Sequence, residues 1–237
     1  MKTLNQFINE VLFDLKDYGR IVKARTVKPK DRAELKQIIE DTIEKKGNKC
    51  DLNFIDTSEI TDMSWLFDGS TFNGDISKWD VSNVQSMYKM FTNSKFNGDI
   101  SDWDVSGVKD MSAMFRGSNF NGDISDWDVS NVKYMYKMFY NSKFTGDISD
   151  WDVSGVKDMN AMFRYSSFNG DISNWDVSNV ENMNNMFENS PFSGDISNWQ
   201  LKKVPFTRDM FLSSPLQKVY GGTPKISYGK LVKKNNK

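Results

Sequence analysis

The chain has 237 residues, 38% hydrophobic and 27% charged, enough to bury the core of one large domain or two small ones. It contains no histidine and a single cysteine, Cys50, which excludes a histidine-based triad, an intramolecular disulfide and any multi-cysteine metal site. The net charge of −1 conceals segregation: residues 1–50 carry +4, 51–71 carry −5, 72–199 carry −8 and 200–237 carry +8.

At the N-terminus, Leu4, Phe7, Ile8, Val11, Leu12 and Leu15 follow i, i+3, i+4 spacing, so an amphipathic helix is expected over residues 4–17, ended by Gly19. Asn5, Asn9, Glu10, Asp14 and Asp17 interrupt its apolar positions. No signal peptide or membrane span is therefore expected, and the location read from the sequence is cytoplasmic or within a phage particle. A basic connector (23–30) leads to Asp31 and Glu34, a variant capping box. It opens a second helix with Leu35, Ile38, Ile39 and Ile43 on one face and Gly47 at its end. Residues 1–47 form a helical cap or docking region. The second helix is expected to cover the first repeat, and the first either joins that cap or docks on another protein.

From residue 48 to about 220 the chain repeats every 24 residues. Trp79, Trp103, Trp127, Trp151, Trp175 and Trp199 keep that step, as do Phe72 through Phe192, Ile76 through Ile196 and Phe91 through Phe211. About seven units are counted. A second period of 48 lies over the first: Val84, Val132 and Val180 follow Asn, whereas Val108 and Val156 follow Gly. Within a unit, Ile76, Trp79 and Val81 are expected on a short strand, and Val84, Met87, Met90 and Phe91 on a turn or two of helix with Ser82 as N-cap. The Asn73-Gly74 pair is expected to supply a positive-φ turn. No single unit encloses that many apolar groups, so neighbours must stack, at roughly 4.8 Å per strand. The resulting fold class is an α/β repeat solenoid, with short parallel strands on one face and short helices on the other. In residues 221–237, Gly221, Gly222 and Pro224 mark a turn, Ile226 and Tyr228 are expected on an edge strand, and KLVKKNNK is expected to lack fixed structure.

The string GDISDWDVSGVKDMSAMF resembles the BspA-like leucine-rich repeat of bacterial surface proteins, mycoplasma lipoproteins and gut phages, with Ile76-x-x-Trp79-x-Val81 in the place of L-x-x-L-x-L. The resemblance covers about residues 48–220. It implies a right-handed, leucine-rich-repeat-like coil that binds partners, and it carries over no catalytic or cofactor residues.

Two rows of residues are candidate partner-binding surfaces. On the sheet face lie Asp80, Asp104, Asp128, Asp152 and Asp176, beside Asp102, Asp126 and Asp150. Carboxylates about 5 Å apart repel by about 1 kcal/mol per pair even when solvated, so something must offset them. Either each Asp accepts from Ser or backbone N–H groups of the following turn, or a basic protein partner fills the face; weak cation binding is disfavoured, because an Asp ladder without clustered carbonyl ligands makes a poor calcium site. On the helix side, Tyr88, Arg116, Tyr136, Tyr140 and Arg164 vary between units, and exposed Tyr and Arg suit interfaces. Every unit offers much the same carboxylate pair, where an active site needs one singular pocket, so neither catalysis nor a cofactor or metal is expected. The expected function is a non-catalytic protein-interaction module. Two alternatives stand beside it: a phage-particle component anchored through helix 4–17, and polyanion or lipid binding through the basic C-terminal tail. Nucleic acid is disfavoured because the sequence pattern interleaves no exposed aromatics with the basic end. Oligomeric state is not legible.

Overall fold

The structure, a computed structural model, describes residues 26–203 and 205–234. The helix expected over 4–17, with Leu4, Phe7, Ile8, Val11, Leu12 and Leu15, lies outside the described residues. Helix α1 (Arg32–Lys46) opens at Asp31, whose carboxylate accepts the Glu34 amide at 2.9 Å, while the Glu34 carboxylate accepts the Lys30 amide at 2.9 Å. Gly47, at φ 83°, closes the helix by donating to the Ile43 carbonyl at 2.8 Å. Leu35, Ile38 and Ile39 are buried and join the core of the first unit. Val27 pairs with Ile55 in a parallel bridge, and Arg32 donates to the Ser64 carbonyl at 3.0 Å. The first unit is thus covered by α1 and its lead-in segment.

Beyond α1, backbone groups pair at a constant stagger. The amides of Met87, Lys89, Phe91 and Asn93 donate to the carbonyls of Asp110, Ser112, Met114 and Arg116 at 2.7–3.0 Å. Parallel bridges run from Asp62 through Ser86, Asp110, Tyr134, Asp158 and Asn182 to Phe206, one per unit. The intervening amides turn inward: Met90 donates to Met87, Thr92 to Lys89 and Ser94 to Phe91, at 3.1–3.2 Å. Alternate donors therefore serve the neighbouring unit and a tight turn within the unit. We call this half of each unit the ladder half.

This corrects the element assignment within the unit. Among the described residues the repeat contains no helix; the Val84–Phe91 stretch is a row of tight turns. A helix would spend its amides on i−4 carbonyls, whereas here every second amide leaves the unit. Lys89 at φ 56° and Asn93 at φ 52° sit in the left-handed region, which breaks helical continuation every four residues. The spacing of Val84, Met87 and Met90 fits three-residue turns as well as it fits a helix. Ile76–Val81 is not a strand either. Trp79 donates to the Ile76 carbonyl at 3.2 Å and Val84 to Val81 at 2.9 Å, closing two turns. Ser82 accordingly caps no helix.

The role expected of the Asn-Gly pair is also corrected. The positive-φ glycines are Gly47, Gly69, Gly117, Gly221 and Gly229; Gly74, Gly98 and Gly122 are not among them. At Gly98 the constraint is contact: a Cβ would lie 2.8 Å from the Phe96 ring.

Phe91 stacks on Phe115 at 5.7 Å and Phe96 on Phe120 at 6.4 Å, while Phe91 and Phe96 meet at 4.6 Å, so two phenylalanine columns interlock along the array. The six tryptophans of the 24-residue column, Trp79 to Trp199, are buried, and each indole Nε1 donates to a carbonyl 27 residues earlier, as Trp127 does to Ile100 at 3.1 Å. At the far end, α2 (Gln217–Tyr220) and an antiparallel hairpin of β1 (Lys225–Ser227) and β2 (Lys230–Val232) cover the last unit, with Ile226 opposite Leu231 against the core. Part of the KLVKKNNK stretch, expected to lack structure, is therefore β2. Tyr228 lies in the hairpin turn rather than on a strand.

The turn geometry ranks substitutions oppositely from a helix. Asn141, exposed at φ 51°, should tolerate Gly, whereas Asn141→Val should cost about 1–2 kcal/mol, a fall of roughly 2–8 °C in melting temperature. Thermal melts with Gly less stable than Val would restore the helix.

Candidate partner-binding surface

Each unit has a turn half and a ladder half, and their chemistry differs. In the three central units the turn halves (96–108, 120–132, 144–156) carry nine carboxylates and no cation. The four ladder halves around them (85–95, 109–119, 133–143, 157–167) carry nine cations against Asp110 and Asp158. The acidic balance of residues 72–199 conceals this division.

On the turn half, the carboxylates expected on a sheet face lie at turns and are exposed. Asp80 accepts from Ser82 through its amide at 3.0 Å and its hydroxyl at 2.6 Å, and Asp104 does the same with Ser106. Asp128, Asp152 and Asp176 accept the amides of Ser130, Ser154 and Ser178 at 2.9–3.0 Å. Local donors therefore answer the charge of this row. Asp102, Asp126 and Asp150 are exposed and have no such bond among the described residues. A second row follows the glycines: Asp99 and Asp123 accept the amide and hydroxyl of Ser101 and Ser125 at 2.8–3.0 Å. Those bonds hold both carboxyls below the usual carboxylate range, and the corresponding serine amide lowers Asp75, Asp147, Asp171 and Asp195.

Side chains also tie the turn halves together. Asn83, Asn131 and Asn179 donate to the carbonyls of Ser58, Ser106 and Ser154 at 2.9 Å. In the alternate units Gly107 and Gly155 stand there, and a Cβ would lie 2.7–2.8 Å from the Ser82 and Ser130 carbonyl oxygens. The 48-residue period thus has a packing meaning: one unit reaches its neighbour by a side chain, the next by close approach of backbone.

On the ladder half the five residues singled out from the sequence divide into two groups. Arg116, Tyr136, Tyr140 and Arg164 belong to one. The Tyr140 ring lies 5.5 Å from the Arg116 guanidinium and 6.0 Å from that of Arg164, with the Lys137 ammonium at 5.5 Å. Lys137 also lies over the Tyr136 ring at 4.8 Å. Tyr88 belongs to the other, where it meets Trp65 edge-on at 5.4 Å and Lys89 lies 3.9 Å over the indole. Sequence reading missed Trp65, Lys89, Lys137 and Tyr165. The recurrence of YKMF at 88–91 and 136–139 was the signal for the two lysines. Tyr165 packs edge-on to Tyr140 at 5.7 Å, and Arg164 lies 5.0 Å over its ring. Glu188 is buried and anchors this end, accepting from Arg164 at 2.8 Å, Asn185 at 2.6 Å and Asn189 at 3.2 Å. Asp110 and Asp158 accept the amides of Ser112 and Asn160 at 2.8 Å, and burial pushes the Asp158 carboxyl up. Among the described residues no cluster of three or more His, Cys, Asp or Glu side chains is placed to hold a metal ion, and no helix is long and apolar enough to cross a membrane.

A model of the family described as "Mycoplasma protein of unknown function, DUF285" matches residues 34–145 and again 140–218. The chain belongs to the DUF285 family. No curated protein and no solved structure matches it. The DUF285 matches start within α1 and run through the repeats to the start of α2.

The serine-held carboxylates set an acid limit. A carboxyl whose pKa is lower folded than unfolded contributes stability above the unfolded value, about 3.9, and that contribution is lost as pH falls through the folded value. Melting temperature should therefore be level near neutrality and drop below about pH 4. In the Asp99→Asn, Asp123→Asn, Asp147→Asn, Asp171→Asn variant an acceptor oxygen remains, so melting at pH 7 should fall by only roughly 2–4 °C and the acid drop should shrink. An unchanged acid drop would show that other groups set it.

Proposed function

We propose that this DUF285 chain is a BspA-like repeat solenoid and a non-catalytic protein-interaction module, whose contact surface is the aromatic and cationic strip of the ladder half. The single observation that carries this reading is Tyr140 lying between Arg116 and Arg164, three side chains from three successive units. A half-buried array of Tyr, Arg and Lys drawn from successive units has the composition of an interface centre, and its mutual contacts leave it little freedom to lose on binding. Its positive potential selects an acidic segment of a partner protein. The ladder hydrogen bonds, repeated at each 24-residue step, support the solenoid, because each added unit extends the same surface by one rung.

The alternative surface is the Asp80–Asp176 row facing a basic partner. Its carboxylates are engaged by serine donors, which supports a turn-forming role for them.

Selection from a random peptide library separates the two. The wild-type chain should enrich acidic peptides, and Arg116→Ala with Tyr140→Ala should weaken the best of them by roughly tenfold or more, the scale of two interface anchors. The Asp104→Asn, Asp128→Asn, Asp152→Asn variant should bind as the wild type does. Enrichment of basic peptides that depend on those three aspartates would overturn the assignment in favour of the turn half.

A further inference from the structure

The last unit and its cover have a surface unlike the rest. Residues 202–234 contain eight cations (Lys202, Lys203, Arg208, Lys218, Lys225, Lys230, Lys233, Lys234) and one carboxylate, Asp209. Among the described residues, Lys203 alone of these makes a salt bridge, to Glu181 at 2.9 Å. Five of the seven exposed large hydrophobic side chains among the described residues lie here as well: Phe206 (73% exposed), Leu212, Val219, Tyr228 (103%) and Val232. This corrects the expectation that no exposed aromatics accompany the basic end.

Backbone contacts tie the elements of this end together. Lys234 donates to the Val219 carbonyl at 2.8 Å, which brings α2 beside the end of β2. A Cβ at Gly222 would lie 3.6–3.9 Å from Leu212, and one at Gly221 would lie 3.2 Å from the Lys234 stem, so these segments run side by side. In the hairpin, Ile226 and Leu231 face the core, so Lys225 with Val232 and Ser227 with Lys230 face outward. Tyr228 stands at the tip beside Gly229, whose carbonyl accepts the Leu201 amide at 2.7 Å. Phe206 forms the final bridge of the ladder, paired with Asn182.

We propose that this end of the array docks on an anionic lipid surface, its lysines meeting headgroup phosphates while the five apolar side chains enter the boundary between headgroups and acyl chains. Lysines interspersed with exposed aliphatic and aromatic residues suit a surface that is both anionic and apolar. A free polyanion or nucleic acid would use the cations and could stack on Phe206 or Tyr228, but it gives Leu212, Val219 and Val232 nothing to bury against. The acidic end of a second copy fits less well. Its Asp56 and Glu59 are paired with Lys28, its Asp62 with Arg32, and α1 covers that unit. The proposal is independent of the Tyr140 strip, which lies on earlier units.

The test is flotation of the full chain with phosphatidylcholine vesicles, with and without phosphatidylglycerol, and heparin retention in parallel. Binding should require phosphatidylglycerol and weaken about tenfold or more on raising salt well above physiological strength. The variant Lys225→Glu, Lys230→Glu, Lys233→Glu should abolish it. Phe206→Ser with Tyr228→Ser should weaken vesicle binding about tenfold while leaving heparin retention unchanged, since only the lipid contact uses those side chains. Tyr228→Ser alone, at a fully exposed position, gives the same direction without risk to the fold. Arg116→Ala with Tyr140→Ala should leave vesicle binding as in the wild type. No binding to phosphatidylglycerol vesicles, or vesicle binding indifferent to the Phe206 and Tyr228 changes, overturns the proposal; the second result with intact heparin retention would indicate a free-polyanion site.

Discussion

A unit of this protein cannot satisfy its own backbone. The amides of Met87, Lys89, Phe91 and Asn93 point out of their unit, and their acceptors are carbonyls of the next. A buried amide left without a partner costs about 1–3 kcal/mol, so an isolated unit would carry several such penalties at once. The side chains impose the same dependence. The Trp127 indole needs the Ile100 carbonyl, and the Phe115 ring packs between the rings of Phe91 and Phe139. Stability must therefore grow with the number of stacked units, and both ends need covers, which α1 and the α2–hairpin segment supply.

The period, the buried columns and the capped helix α1 were legible in the sequence because each depends on residue type at a fixed step. Trp, Phe, Ile and Met recur every 24 residues, and all of them are buried. What was not legible was the path of the backbone between those columns. Apolar residues three and four apart describe a helix and also a row of tight turns. The feature that separates them is the conformation of Lys89 and Asn93, to which hydrophobic periodicity is blind. One clue was present: the column holding Asn93 reads Gly69, Asn93, Gly117, Asn141, Tyr165, Asn189, Ser213, and Gly with Asn are the residues that best tolerate positive φ.

The candidate surface divides along the same line. Arg116, Tyr140 and Arg164 were picked out because they vary where the core does not, and that signal survives any error about the backbone. Their mutual arrangement does not follow from variation alone. Tyr140 meets cations on both sides because the ladder places equivalent positions of neighbouring units one rung apart. The aspartate rows were legible too, together with the serine donors that hold them, since Asp-x-Ser is a local motif that needs no knowledge of the fold.

Stacking identical units brings a cost that this sequence handles differently in its two halves. Any charge repeated at one position becomes a row of like charges at rung spacing, each adjacent pair repelling by about 1 kcal/mol when solvated. In the turn half, serine amides and hydroxyls offset the Asp80–Asp176 and Asp75–Asp195 rows of aspartate, though not Asp102, Asp126 and Asp150. In the column through Arg116 the sequence alternates, with Tyr140 between two arginines and Glu188 closing the run, so cations never occupy adjacent rungs. Lys109, Lys133 and Lys157 have neither device: they stand on three consecutive rungs, and no carboxylate pairs with them among the described residues. Those three lysines leave two adjacent repulsive pairs uncompensated within the chain, as Asp102, Asp126 and Asp150 do on the turn half, so an anionic group laid along the lysine row would relieve both of its pairs together.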